Sequence, residues 1–289
     1  MGRLLHLFGA ALCAAGLAIG TISDERPASA SIRSGEFWIL RGDFHVHAFP
    51  GDGSLTPPVL REEARRAGLD VIAITNHNQA VTGQLAQWLT GNTEGPIMIG
   101  GEEVTNPHYH LIAIGIKDKV SADQTAADAI AAIHAQNAIA IAAHPSPTFT
   151  GYDDAALSMV DGTEAAHPGD TEERQEFVDT FDRVRRMNPH LAPIGSSDIH
   201  VTPALGACRT YLFVRERSIS GVLEAIRAGR TVAADEGGSL YGAPDLVEGV
   251  QNAAPPARSD RHAFLRRFSL VLAWLGLVSM LIFNSCKAS

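Results

Sequence analysis

His45 and His47, in "DFHVHAFPGDGS", are the first residues along this chain whose types and spacing could do chemistry. In an extended strand, residues two apart share a face, so both imidazoles point the same way. Asp52 follows in a glycine-flanked turn. The same design recurs: "TNHN" carries His77, "GGEEVT" carries Glu102 and Glu103, "YHLIAIGI" carries His110, and "IAAHPSP" carries His144. "GSSDIH" closes the series with Asp198 and His200, again two apart. Imidazoles mixed with carboxylates suit Zn, Mn or Fe better than Mg or Ca, which prefer all-oxygen shells. The donors His45, His47, Asp52, His77, Glu103, His110, His144, Asp198 and His200 exceed what one ion can use. Two or three divalent ions sharing bridging groups are expected.

Such donors must be carried to one place by the elements around them. "FWILRGDFHVHA" reads as a strand, and "TPPVLREEARRAG" as a helix with Thr56 as N-cap, Pro57 at its first turn and Gly68 at its end. "DVIAITNHN", "GPIMIGGEEVT", "YHLIAIGI", "IAIAAHPSP" and "APIGSSDIH" read as apolar strands closing in polar clusters. "SADQTAADAIAAIHAQNA", residues 171 to 187 and "SISGVLEAIRAGRT" read as helices, the first opening on Ser121. Nearly uninterrupted apolar strands joined through helices predict a parallel sheet buried on both faces. Polar clusters at the C-terminal ends of so many strands favour a closed barrel over an open sheet. The expected fold is α/β, an irregular (β/α) barrel over residues 35–240, with apolar helices at the termini outside it.

With 289 residues the chain has room for one sizeable domain, and a net charge of −9 leaves too little basic surface to track double-stranded nucleic acid. A small phosphorylated substrate is compatible with that charge, because bound cations add local positive charge. Cys208 stands alone in the body, so no disulfide framework is expected there. At the N-terminus, Arg3, an apolar run over residues 4 to 20 and the small residues Ala28, Ser29 and Ala30 have the layout of a signal peptide or anchor over 1–30. Residues 268 to 283 carry no charge; at about 1.5 Å per residue they span roughly 24 Å, against the ~30 Å of a hydrocarbon core. Flanking Arg266 and Arg267 could extend the reach, so a C-terminal transmembrane helix over 263–284 is expected, after a linker over 241–262. Together these predict a membrane partner and a membrane-anchored body on the exported side. The arginines preceding the C-terminal segment argue for the cytoplasmic side instead.

The ordered blocks "DFHVHAFPGDGS", "VIAITNHN", "GGEEVT", "HLIAIG", "IAAHP" and "GSSDIH" resemble the PHP family, the polymerase and histidinol phosphatase domains, from about Asp43 to Val232. The resemblance implies a distorted (β/α)7-type barrel, seven-stranded, holding a trinuclear site that hydrolyses phosphoesters. Carried over block by block, it implies that His45, His47 and Asp198 hold a first ion and that Glu103 bridges to a second, completed by His110 and His144. Asp52, His77 and His200 would hold the third. The chain departs from the family where Asn76 precedes His77, a place often taken by Asp, and where Ala48 stands in place of Thr.

The expected reaction is metal-dependent hydrolysis of a small phosphomonoester or nucleotide phosphate, with a metal-activated hydroxide as nucleophile. Asp198 and His200 are the expected catalytic residues, with His200 or a metal-bound water as general acid. Arg209 is a candidate contact for the substrate phosphate. His108 competes with His110, and Glu102 with Glu103. Glu164 and His167 could line the mouth, while His134 and His190 are read as a helix-face and a loop residue. Two other classes fit in part: an amidohydrolase-like metal hydrolase cleaving C–N or C–O bonds, and a non-catalytic metal-binding or sensor module. Loops 79 to 96 and 146 to 175 are expected to set selectivity.

Overall fold

The computed structural model describes residues 2–24, 32–91, 94–146, 148–169, 171–201, 204–253 and 263–285. The described chain opens with α1 (Gly2–Asp24). β1 (Ile32–Ser34) folds back antiparallel onto β2 (Phe37–Val46). α2 (Pro57–Ala67) follows, closed by Gly68 at φ 74, whose amide donates to the Ala64 and Arg65 carbonyls. β3 (Val71–Ile74), α3 (Val81–Thr90), β4 (Ile97–Asn106) and β5 (Tyr109–Ile114) come next. Then come α4 (Ala126–His134), β6 (Ile139–Ala142), α5 (Asp154–Met159), β7 (Gly162–Ala166) and α6 (Thr171–Met187). β8 (Ala192–Gly195), β9 (Arg209–Val214), α7 (Ile219–Arg227), β10 (Thr231–Ala234), β11 (Leu240–Gly242) and α8 (Pro244–Ala253) complete the body, and α9 (Ala263–Ser285) ends the described chain.

The strands form one sheet in the order β11-β10-β9-β2-β3-β4-β5-β6-β7-β8, with β1 beside β2. The sheet curls until β8 meets β9, where the Gly195 amide donates to Thr210 Oγ1 and that hydroxyl donates to the Gly195 carbonyl, each at 2.9 Å. The His47 amide donates to the Ile199 carbonyl at 3.0 Å, joining the segment after β8 to β2. A mixed α/β fold with a nearly closed barrel results. The wall is less parallel than the apolar strands predict. β5 is antiparallel to both β4 and β6, and β9 is antiparallel to β2. Only Pro107 and His108 separate β4 from β5, and so short a connection cannot reverse the chain into a parallel neighbour.

Alternation along the strands separates the barrel interior from the helical layer. Val71 and Ala73 meet Leu40, Phe44, Ile99, Ile112, Ile141 and Ile194 inside, whereas Ile72 and Ile74 meet Leu60, Ala64 and Ala86 under α2 and α3. β2 breaks this alternation. Its register against β3 shifts between Asp43 and Val46, so Leu40 and Phe44 lie in the interior cluster but Val46 joins the outer one. The extra residue turns His45 and His47 to the inside.

Three sequence expectations are adjusted. Thr125, not Ser121, caps α4, its side chain accepting from the Asp128 amide. α3 and α5 fall within stretches read as loops. β11 and α8 occupy most of the expected linker, while residues 254–262 lie outside the described residues.

The expected membrane anchor is overturned. Among the described residues, no helix is long and apolar enough to cross a membrane. The uncharged run of α9 is shorter than a hydrocarbon core is thick, and one of its faces is taken up by α1. Gly16 lies so close to Ala273 and Ser269 that a Cβ would meet the Ala273 nitrogen at 2.5 Å, and Ser279 Oγ donates to the Leu5 carbonyl at 3.3 Å. The membrane partner and the membrane-anchored, exported localisation are therefore withdrawn. The expected cleavage residues Ala28, Ser29 and Ala30 lie outside the described residues.

Candidate metal centre

All nine donors meet at the mouth of the barrel. Glu103, fully buried near the end of β4, is their hub. Its Oε1 lies 2.9 Å from His110 Nδ1 and 3.3 Å from His144 Nε2. Its Oε2 lies 2.8 Å from His77 Nδ1, 3.2 Å from His45 Nε2 and 3.5 Å from His47 Nε2. Asp198 Oδ1 approaches His45 Nε2 at 3.2 Å and His47 Nε2 at 3.1 Å. Asp52 faces His47 at 3.1 Å, His77 at 3.6 Å and His200 at 3.8 Å.

Close glycine packing holds Asp52 in place. A Cβ at Gly51 would lie 1.9 Å from Asn76 Nδ2, and one at Gly53 would lie 2.0 Å from the His47 carbonyl oxygen. Asn76 grips this turn from below: Oδ1 accepts from the Ala48 amide, and Nδ2 donates to the Ala48 and Pro50 carbonyls. His144 at φ 23 and Asp198 at φ 50 are held in backbone conformations that side chains disfavour, as happens where surrounding structure fixes a site. Asp43, buried beside the β2 bulge, accepts from the Ser197 and Gly206 amides and so ties the Asp198 segment to His45.

The centre fits divalent cations on its own geometry. His45 Nε2, His47 Nε2, Glu103 Oε2 and Asp198 Oδ1 are buried and converge within 3.1–3.5 Å without a well-directed hydrogen bond to satisfy them. Four orphaned polar atoms facing one another are costly unless something positive lies between them. Several sets of donor atoms lie within 4.8 Å of one another: His45, His47 and Asp198; His45, Glu103 and His144; His77, Glu103 and His110; and His47, Asp52, His77 and His200.

The charges reinforce this. Burial opposes ionisation of His45, but the carboxylates of Asp198, Glu103 and Glu164 outweigh it and hold its pKa well above the ordinary value. Burial also works against Glu103 and Asp198, yet the neighbouring imidazoles, His45 foremost, keep both well below the usual carboxylate range. For Asp52, hydrogen bonding and charge from His47 overcome burial and bring the pKa down to about 2.

The competing residues stand elsewhere. Glu102 points away from Glu103 and accepts from the Val120 amide. His108 meets Thr150 Oγ1, and His134 pairs with Asp161. His190 lies in the loop before β8, its amide bonded to Asn188 Oδ1. Arg209 donates to the carbonyls of Gly206 and Ala67, so its guanidinium is committed to main chain. Two mouth residues belong to the centre more closely than their sequence context indicates. Glu164 on β7 accepts from His45 Nδ1 at 3.0 Å, and His167 Nε2 lies 3.5 Å from Asp198 Oδ2. Burial disfavours the charge on Glu164, but His45 and His167 together bring its pKa to about 2. A "TEAAH" segment ending a strand was the available signal. Phe149 packs on the His110 and His144 rings, beside a cavity of about 360 Å³ that also takes in Ser146, Thr150 and Arg183.

A family model described as PHP-associated matches residues 187–231, the stretch containing Asp198 and His200. The fold is shared with a two-domain protein from Bacteroides vulgatus containing a predicted PHP-like metal-dependent phosphoesterase. That protein is 24% identical, with a TM-score of 0.66 over 79% of this chain and 75% of its own. The PHP resemblance holds. Two further structures overlap more loosely. One is an amidohydrolase from Chromobacterium violaceum, 16% identical, TM-score 0.44, over 57% of this chain and 89% of that one. The other is a lesion-specific endonuclease from Pyrococcus furiosus, 12% identical, TM-score 0.48, over 77% and 73%. At those TM-scores neither bears on this chain's chemistry. No curated protein matches.

Proposed function

We propose that this protein is a metal-dependent phosphoesterase that hydrolyses a small phosphomonoester or nucleotide phosphate at a centre of three divalent cations, Zn, Mn or Fe. The observation that carries this reading is the convergence of four buried atoms, His45 Nε2, His47 Nε2, Glu103 Oε2 and Asp198 Oδ1. His45, His47 and Asp198 would hold one ion, His110 and His144 a second shared through Glu103, and Asp52, His77 and His200 a third. Bound there, cations supply Lewis acidity and lower the pKa of a coordinated water toward neutrality. The residues do the rest. Six imidazoles and three carboxylates leave the mouth able to balance an incoming phosphate dianion once the cations are in place. Asp52, His77 and His200 are each about one-third exposed, 31%, 34% and 34% for their side chains, and so face the entering ester. We assign the proton handling to His200, whose Nδ1 lies 3.6 Å from Asp198 Oδ1. The cavity beside Phe149 has the size of a small leaving group's site.

The test is hydrolysis of an aryl phosphate with added Mn or Zn, expected to disappear on chelation and in His45→Ala. Turnover of amides or lactones with none of phosphates would replace this reading with a C–N or C–O hydrolase.

A further inference from the structure

Glu164 is a fully buried carboxylate with no part in the proposed ligand set. Its two oxygens are divided between two donors. Oε1 accepts from His45 Nδ1 at 3.0 Å, and Oε2 accepts from the main-chain amide of His144 at 2.6 Å. Those donors serve opposite edges of Glu103. His45 Nε2 faces Glu103 Oε2, while His144 Nε2 faces Glu103 Oε1. With its proton held on Nδ1, His45 presents the Nε2 lone pair to the cluster, the usual way a carboxylate sets a ligating histidine. For His144, the bond fixes the amide of a residue held at φ 23, and so helps fix where its ring starts. β7 delivers Glu164 to this position through a local irregularity: its register against β8 shifts between Glu164 and Ala166.

We propose that Glu164 is a positioning residue that couples the two halves of the metal centre, aiming His45 with one oxygen and pinning His144 with the other, so that the ions on either side of Glu103 are taken up together. This rests on the reading that divalent cations bind here. A donor such as His110 serves one ion, whereas Glu164 serves one donor of each.

The experiment is a Mn2+ titration of the metal-free full-length protein, counting bound and free ion by electron paramagnetic resonance, alongside thermal melting of the metal-free forms. The wild type is expected to take up ions cooperatively. Glu164→Gln keeps the size but sets an amide NH2 against one of the two donors. It is expected to weaken binding at two positions by about tenfold to hundredfold and to abolish the cooperativity. His110→Ala, the comparison, is expected to weaken one position. The proposal is overturned by non-cooperative uptake in the wild type, or by a Glu164→Gln variant that keeps wild-type affinities or loses affinity at one position only. A lower melting temperature with unchanged metal binding would mark Glu164 as merely structural. If the glutamine variant does not fold, Glu164→Asp, which keeps the charge and shortens the reach, is read by the same criterion. A wild type that binds no Mn2+ at all removes the proposed function itself, a result distinct from an indifferent Glu164.

Discussion

The imidazoles of His47 and His200 lie face to face, 3.8 Å between centroids and 15° between planes. One comes from β2 and the other from the segment after β8. The two chains are joined by the Ser54 amide, which donates to the His200 carbonyl at 2.8 Å, and by the bond from the His47 amide to Ile199. Stacked this way, both rings address Asp52, at the most exposed part of the centre.

His200→Ala should therefore remove one ion and leave the others. Elemental analysis after dialysis is expected to show the loss of one equivalent, with kcat for an aryl phosphate down roughly a hundredfold or more. Loss of the whole metal complement would refute the separate, exposed position.

Asn76 makes a prediction about the departure from the family's aspartate. An aspartate there would set a carboxylate against the Ala48 and Pro50 carbonyls to which Nδ2 now donates. Asn76→Asp is expected to cost about 1–3 kcal/mol of stability and to weaken binding at the ion near Asp52. Denaturant unfolding and a metal titration check it; wild-type values in both would show that the turn does not depend on the amide.

The adjacent glutamates should part company. Glu103→Gln is expected to abolish metal retention, because Glu103 faces five imidazoles. Glu102 has one oxygen on the Val120 amide and one buried without a partner, and burial raises its pKa. Glu102→Gln keeps the acceptor and removes a buried charge, so metal content should be unchanged and stability within about 1 kcal/mol of wild type. Metal loss in the Glu102 variant would reverse the two roles.

The metal-free protein should have its own pH dependence. His45 has a raised pKa, so its contribution is fully present below its unfolded value near 6.5 and fades as pH rises through the folded one. Glu103 and Asp198 have lowered pKa values, so theirs are present above the unfolded values near 4 and fade as pH falls through the folded ones. The chelated protein should therefore be most stable in mildly acidic to neutral solution and melt at lower temperature as pH is raised to 9. Saturating Mn2+ should flatten that alkaline decline, since the cation replaces the proton. Parallel curves with and without metal would contradict it.

Much of the centre is legible in the sequence because metal chemistry restricts residue types. Histidines two apart, or at the end of an apolar strand, have few bland reasons to recur in one chain. The side of the sheet they face is less legible: alternation puts His45 with His47, but the register shift before Val46 decides that they look inward. The direction of β5 is not legible in its apolar run, which resembles those of its neighbours; the two residues separating it from β4 carry that information. Glu164 reads from the sequence only as a mouth-lining residue, because its role depends on where His144's amide lies, a relation between the ends of β6 and β7 that spacing does not encode. The terminal helices show the converse. Their apolar runs suggest lipid, but small residues such as Gly16 and Gly276 let each helix bury its side against the other.

The join between β8 and β9 has a wider bearing. Elsewhere the wall is held by repeated main-chain bonding, but here the hydroxyl of Thr210 makes both links to Gly195. The circumference is thus fastened at a clasp rather than woven shut, directly beneath the segment after β8 that carries Asp198. Valine at 210 would preserve the shape of the clasp and undo it, leaving the girth of the opening to packing and to the main-chain bonds of Ile199 and His200 above it.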